Sequence, residues 1–155
     1  MARTELLGRD LGTETITIES APVRAFARAL HDTSATYSSA AAPIPPTFPF
    51  AFPYWGTRAH GGAGGFPMHE LRGPGRLTLH GEQRFTFAQW PHVGDALTGH
   101  SHVVDVYERP RRDGGVLEFY VVATEWTNTH TGAVMVYEES TFIISVDPDA
   151  TTSAH

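Results

Sequence analysis

The chain has 155 residues, 41% of them apolar, with no cysteine and a formal net charge of -6. That length suits one domain with its own core, and the missing cysteine excludes disulfides and thiolate metal sites. The acidic balance argues against nucleic acid, which needs a basic surface. All 11 cations are Arg, which excludes a lysine Schiff base, and no apolar run approaches the roughly 20 residues that span a bilayer.

Met1 to Asp10 mixes charges of both signs without an apolar core, so no signal peptide is expected and the expected location is the cytoplasm. Thr13 to Ile18 alternates, with Ile16 and Ile18 on one face, and reads as a strand. Ser20-Ala21-Pro22 is a helix start. Val23, Phe26, Ala27 and Leu30 then form one apolar helical face of about three turns. The helix should end near Asp32, where Asp, Thr and Ser compete for backbone bonds.

Residues 38 to 76 show neither period. Pro43, Pro45, Pro46, Pro49 and Pro53 punctuate the first part; Gly61, Gly62, Gly64 and Gly65 loosen the second. Phe48, Phe50, Phe52, Tyr54, Trp55, Phe66 and Met68 are costly to leave in water, so the segment should pack and help to form a pocket or an interface. From residue 77 the period is two. Phe85 and Phe87 share a face, and so do Val104 and Val106. Leu117, Phe119, Val121 and Ala123 line one face of a strand, and Val134, Val136, Phe142 and Ile144 line one face of the last. Pro91 to Asp95, Arg111 to Gly115 and Asn128 to Gly132 are turns.

The order is strand, helix, long loop, then about four antiparallel strands. It predicts one α+β domain over residues 1–146, a curved antiparallel sheet wrapped around one main helix. A polar, disordered tail follows over 147–155. One helix cannot cover both faces of such a sheet, so a partner is expected.

These elements resemble the hot-dog fold. Leu79-His80-Gly81-Glu82-Gln83 with Phe85-Thr86-Phe87, Val93-Gly94-Asp95-Ala96-Leu97-Thr98-Gly99, Pro45-Pro46-Thr47-Phe48-Pro49 and Phe26-Ala27-Arg28-Ala29-Leu30-His31-Asp32 resemble the N-terminal, FAS1-like half of MaoC-like dehydratases. That group includes accessory subunits of actinobacterial (3R)-hydroxyacyl carrier-protein dehydratases. The likeness runs from about residue 5 to 145. It implies a (3R)-3-hydroxyacyl thioester substrate on acyl carrier protein or CoA, in fatty acid or polyketide synthesis. It also implies no metal, no redox cofactor, and a second hot-dog subunit as partner, with a heterodimer favoured and a homodimer possible.

Dehydrating such a thioester needs a base at C2, an acid for the departing hydroxyl and a donor for the carbonyl oxygen. Catalytic relatives use an Asp and a His five residues later. Here Asp32 matches the Asp, but Tyr37 stands where the His belongs, and a Tyr with a pKa near about 10 is a poor base. His31, Ser34 and Ala35 replace the family's Gly, Asn and Pro. The chain is then the substrate-holding half of a heteromer, or a self-sufficient dehydratase or hydratase with a relocated base at His80 or His31. A hot-dog thioesterase using Asp32 or Glu82, and a non-catalytic acyl-binding or scaffolding protein, are further alternatives.

Asp32 can equally be a helix-end acceptor. His80 is a pocket histidine or a ring pinned to backbone. Glu82, if it shares the side of His80, can orient it. Phe48, Phe50, Phe52, Tyr54 and Trp55 line an acyl tunnel, cover a dimer seam or pack the loop on the sheet. His100 and His102 alternate at a spacing that can chelate metal but have no evident third ligand. They read as solvent-facing, as do His60 and His69. Trp90 and Trp126 read as structural or interface aromatics rather than catalytic ones. The glycine stretch lacks the Lys-Ser/Thr and strand–helix context of a phosphate loop.

Overall fold

In a computed structural model, the described residues are 1–55 and 66–152. The Trp55 side chain, His60 and the glycine stretch Gly61 to Gly65 lie outside the described parts. Five strands form one antiparallel sheet: β1 (Asp10–Thr17), β2 (Arg76–Phe87), β3 (Ala96–Pro110), β4 (Val116–Asn128) and β5 (Val134–Val146), in the order β1-β3-β4-β5-β2. The turn at Arg111 to Gly115 joins β3 to β4, and the one at Asn128 to Gly132 joins β4 to β5. The chain crosses the whole sheet between β1 and β2, the two edge strands.

Helix α1 spans Ser20–Ala29 and buries Val23 and Ala27. Its cap residue is Glu19 rather than Ser20. It stops earlier than Asp32, because His31 takes a left-handed φ of 59°. The His31 N–H donates to Arg28 O and the Asp32 N–H to Ala27 O, a paired closure that satisfies carbonyls of the last turn. Leu30 therefore turns outward and is 52% exposed instead of completing the apolar face.

The proline-rich segment is ordered. A tight turn over Phe48–Ala51 runs into α2 (Phe52–Trp55), and α3 (Met68–Leu71) follows. Edge-on rings lead from α1 to the sheet: Phe26 to Phe48 at 5.3 Å, Phe48 to Phe52 at 5.8 Å, and Phe52 to Trp126 at 4.9 Å. The inner face of the sheet is thus covered first by the Phe48–Phe52 segment, with α1 reaching the same core through Val23. A second core gathers Leu6, Leu71, Val103, Tyr120, Phe142 and Ile144 at the other end.

The segment from Val93 to Gly99 has a mechanical role at each step. The Gly94 φ of 97° suits glycine, and its N–H donates to Ile18 O, while the Asp95 carboxylate accepts the His92 N–H. Leu97 is fully buried, and a Cβ on Gly99 would lie 2.7 Å from the Trp126 ring.

Three expectations need correction. Val134 does not share the face of Val136, because a bulge there pairs Val136 with Trp126 and Val134 with Thr127; on β4 the series Leu117, Phe119, Val121 and Ala123 does share one face, the outward one, opposite the buried Glu118, Tyr120, Val122, Thr124 and Trp126. Val104 and Val106 do not share a face, because a bulge between Val103 and Asp105 resets the register. The tail is not loose from residue 147: the Asp147 N–H donates to Gly75 O, and α4 (Pro148–Thr152) lays Ala150 against the second core. No described helix is long and apolar enough to cross a membrane.

Candidate functional site

A cavity of about 330 Å³ opens between the Phe50–Tyr54 turn and the inner face of the sheet. Phe50 and Tyr54 stand at its exposed rim, 43% and 57% accessible. Its walls include Met68, Val122 and Phe142, and its floor holds Glu14, Gln83, Thr124, Trp126, Glu138 and Ser140. Mixed apolar and convergent polar lining is the usual character of a small-molecule site.

The polar groups are wired together. Gln83 Nε2 donates to Glu138 Oε1 at 2.9 Å, and Trp126 Nε1 donates to Glu138 Oε2 at 2.9 Å. Ser140 Oγ donates to Gln83 Oε1 at 2.8 Å. His80 Nε2 lies 3.0 Å from the same Oε1. An amide oxygen only accepts, so His80 Nε2 is the donor in this bond. The imidazole sits between the Phe50 and Phe142 rings, at 5.6 and 5.8 Å.

Glu138 is buried in this network. Burial pushes its carboxyl up to about 7; the nearby Glu14 carboxylate adds to the rise, and the Trp126 and Gln83 bonds oppose it. Such a group, placed in a cleft, marks a functional-site candidate.

The sequence candidates divide between places. His80 and Phe50 line the cavity. Glu82 does not: the bulge at Gly81 turns it to the outer face, where it pairs with Arg84 at 3.3 Å, and Gln83 takes the position that orients His80. Phe48 and Phe52 are core side chains, absent from the cavity lining. Asp32 and Tyr37 line a separate open pocket with Arg24, Arg28, Thr33 and Ser34, and this pocket shares no lining residue with the first. There Asp32 Oδ1 accepts the Ser34 N–H at 2.9 Å, a local turn bond, and Tyr37 packs on the first core. His31 lines neither cavity. His100 and His102 stack at 6.0 Å on the outer face, with His100 bonded to Asp10 at 3.1 Å. Among the described residues no three His, Asp or Glu side chains gather as a metal site.

Glu14, Gln83, Thr124, Glu138 and Ser140 are missed by sequence reasoning. The available signal is parity. Glu14 shares the inward face of Ile16, and Glu138 and Ser140 interrupt the inward series Val136, Phe142, Ile144.

A family model described as FAS1-like, dehydratase domain region, matches residues 5–137. No curated protein matches the chain by sequence. The chain is similar in structure to a subunit of the C-terminally truncated HadBC (3R-hydroxyacyl-ACP dehydratase) complex from Mycobacterium tuberculosis, with a TM-score of 0.64, 19% identity, and coverage of 89% of this chain and 96% of that one. It is similar to a chain of the ChsH1-ChsH2 complex from Mycobacterium tuberculosis, with a TM-score of 0.56, 13% identity, and coverage of 91% and 98%. A MaoC-like dehydratase from Phytophthora capsici superimposes with a TM-score of 0.62 at 19% identity over 89% of this chain but 46% of its own. The fold is the hot-dog fold of the MaoC-like dehydratases.

Proposed function

Because the chain belongs to the FAS1-like dehydratase domain family, we propose that it is the substrate-holding subunit of a (3R)-3-hydroxyacyl-thioester dehydratase. Its acyl group arrives on carrier protein or CoA, and a second hot-dog subunit supplies the acid–base pair. The observation that carries this is the separation of the candidate groups. Asp32 and Tyr37 line one pocket and His80 lines another, so among the described residues the candidate Asp and His do not share a cavity. What the chain does offer is a preformed cavity with an aromatic rim, suited to holding an acyl chain. The HadBC and ChsH1-ChsH2 relatives are complexes of two different chains, which supports a heterodimer here.

One observation favours a second reading. The His80–Gln83–Glu138 chain places a protonatable carboxyl near neutral pH within the cavity, and a self-sufficient enzyme would take its acid and base from that chain.

The purified chain is assayed on a (3R)-3-hydroxyacyl-CoA, alone and co-expressed with the hot-dog protein of a neighbouring gene that carries an intact Asp–His motif. The expected result is no turnover alone and turnover in the complex. Robust dehydration by the lone chain overturns the proposal, and loss of that activity in Glu138→Gln then assigns the second reading.

A further inference from the structure

The outer face of the sheet, opposite the cavity, carries an apolar row of its own. Tyr107 on β3, Phe119 on β4, Ile143 on β5 and Leu79 on β2 are paired one to the next across four strands, so their side chains stand side by side. Tyr107 and Phe119 stack at 4.6 Å, and Leu79 is 43% exposed. The rows that flank it differ in charge. On one side Arg109 stands beside Leu117; on the other Asp105 stands beside Val121.

Asp105 and Arg109 stand on one strand about 13 Å apart, beyond the reach of an ion pair. Among the described residues neither forms one; Arg109 lies instead over the Tyr107 and Phe119 rings, at 5.7 and 5.9 Å. A two-fold axis laid along the apolar row brings a second copy face to face with the first. Apolar row then meets apolar row. Because the axis reverses the strand direction, Arg109 of each protomer comes over Asp105 of the other. Two charges that one chain cannot pair are both paired by a copy of itself, which is the self-complementarity a two-fold contact needs. Sheets stacked face to face lie about 10 Å apart, a gap that the side chains of both fill.

We propose that the outer face binds a second copy of this chain, with the two apolar rows packed together and two Arg109–Asp105 ion pairs closing the flanks. The contact lies on the side of the sheet away from the cavity and leaves the acyl site open. The self-association and the acyl-holding reading therefore stand or fall independently.

Sedimentation of the full chain over a concentration series measures the association, and a dimer is expected. Leu79→Asp, at an already exposed position, should weaken it by about 10-fold or more. So should Asp105→Arg or Arg109→Asp, each of which sets like charges opposite one another. Asp105→Arg combined with Arg109→Asp remakes both pairs with their signs exchanged and should bring back most of the wild-type association. A monomer at every concentration overturns the proposal. So does a dimer indifferent to Leu79→Asp and to both charge reversals, as pairing along a sheet edge would give, and so does a combined variant no tighter than the single ones. If Leu79→Asp instead releases the co-expressed second hot-dog subunit, that subunit is the occupant and the proposal falls.

Discussion

Glu138 sits where its proton has a measurable consequence. Its folded carboxyl is raised from the ordinary 4.5 to about 7, chiefly by burial. The folded chain therefore holds this proton more tightly than the unfolded chain does. Stability contributed by the neutral acid is complete below about pH 4.5 and is lost as pH rises through about 7. The full difference amounts to about 3 kcal/mol. Glu138→Gln removes the titration, so wild type should lose about 3 kcal/mol relative to the variant between roughly pH 4 and pH 8. Urea unfolding of both proteins across that range checks it, and the change with pH carries the test whatever the variant's absolute stability. Its neighbours that set this behaviour are Trp126, Gln83 and Glu14. His80 was accessible to sequence reading because it lies in a family-like segment. Glu138 was not, because a lone carboxylate in a strand most often faces solvent, and only its inward parity shows otherwise.

At the scale of elements, bulges decide which residues meet. Strand parity places Val93 to Gly99, the series Val136, Phe142 and Ile144, and all three turns correctly, but Val134 lies beyond a bulge opposite Trp126 and Thr127 and takes the other face. It fails at Gly81 and at Val104, where one extra residue flips every later side chain. That is why Glu82 points outward and Gln83 inward. On β4 the alternation is right but does not say which face is buried: Leu117, Phe119 and Val121 are as apolar as the residues actually buried, and the inward face carries Glu118 and Thr124. Glu118 is tolerated because Arg76 Nη2 reaches it at 2.5 Å and the Tyr120 hydroxyl donates to it at 2.9 Å. Gly99 shows how one element holds another. Its missing side chain lets the Trp126 indole lie flat on β3, from which Nε1 reaches Glu138. Gly99→Ala would put its Cβ 2.7 Å from the ring. Displacing the ring should cost about 1–3 kcal/mol and weaken the Trp126–Glu138 bond. Thermal unfolding measures the first effect, and a shifted indole N–H resonance reports the second.

The described residues form two apolar cores joined by a polar band of Glu14, Ser101, Thr124, Glu138, Ser140 and Gln83 on the inner face of the sheet, and the two kinds of region answer to different demands. The cores fold the chain. Trp126, Tyr120, Leu97 and Ile144 are among its most deeply buried side chains, and they lie on both sides of the band. If the band also served folding, removing its hydroxyls in pairs would cost as much as removing them singly. Ser101 Oγ and Thr124 Oγ1 are buried and bonded to each other at 2.8 Å. Thr124→Val alone leaves the Ser101 hydroxyl without that partner and should cost about 1–3 kcal/mol. The pair Ser101→Ala with Thr124→Val removes both groups and should come back to within about 1 kcal/mol of wild type. A double-mutant cycle by chemical denaturation isolates this coupling. Several kcal/mol lost in the double variant would make the layer a folding device. Near-wild-type stability means instead that the sheet keeps its hydroxyls and carboxylates for whatever enters the cavity.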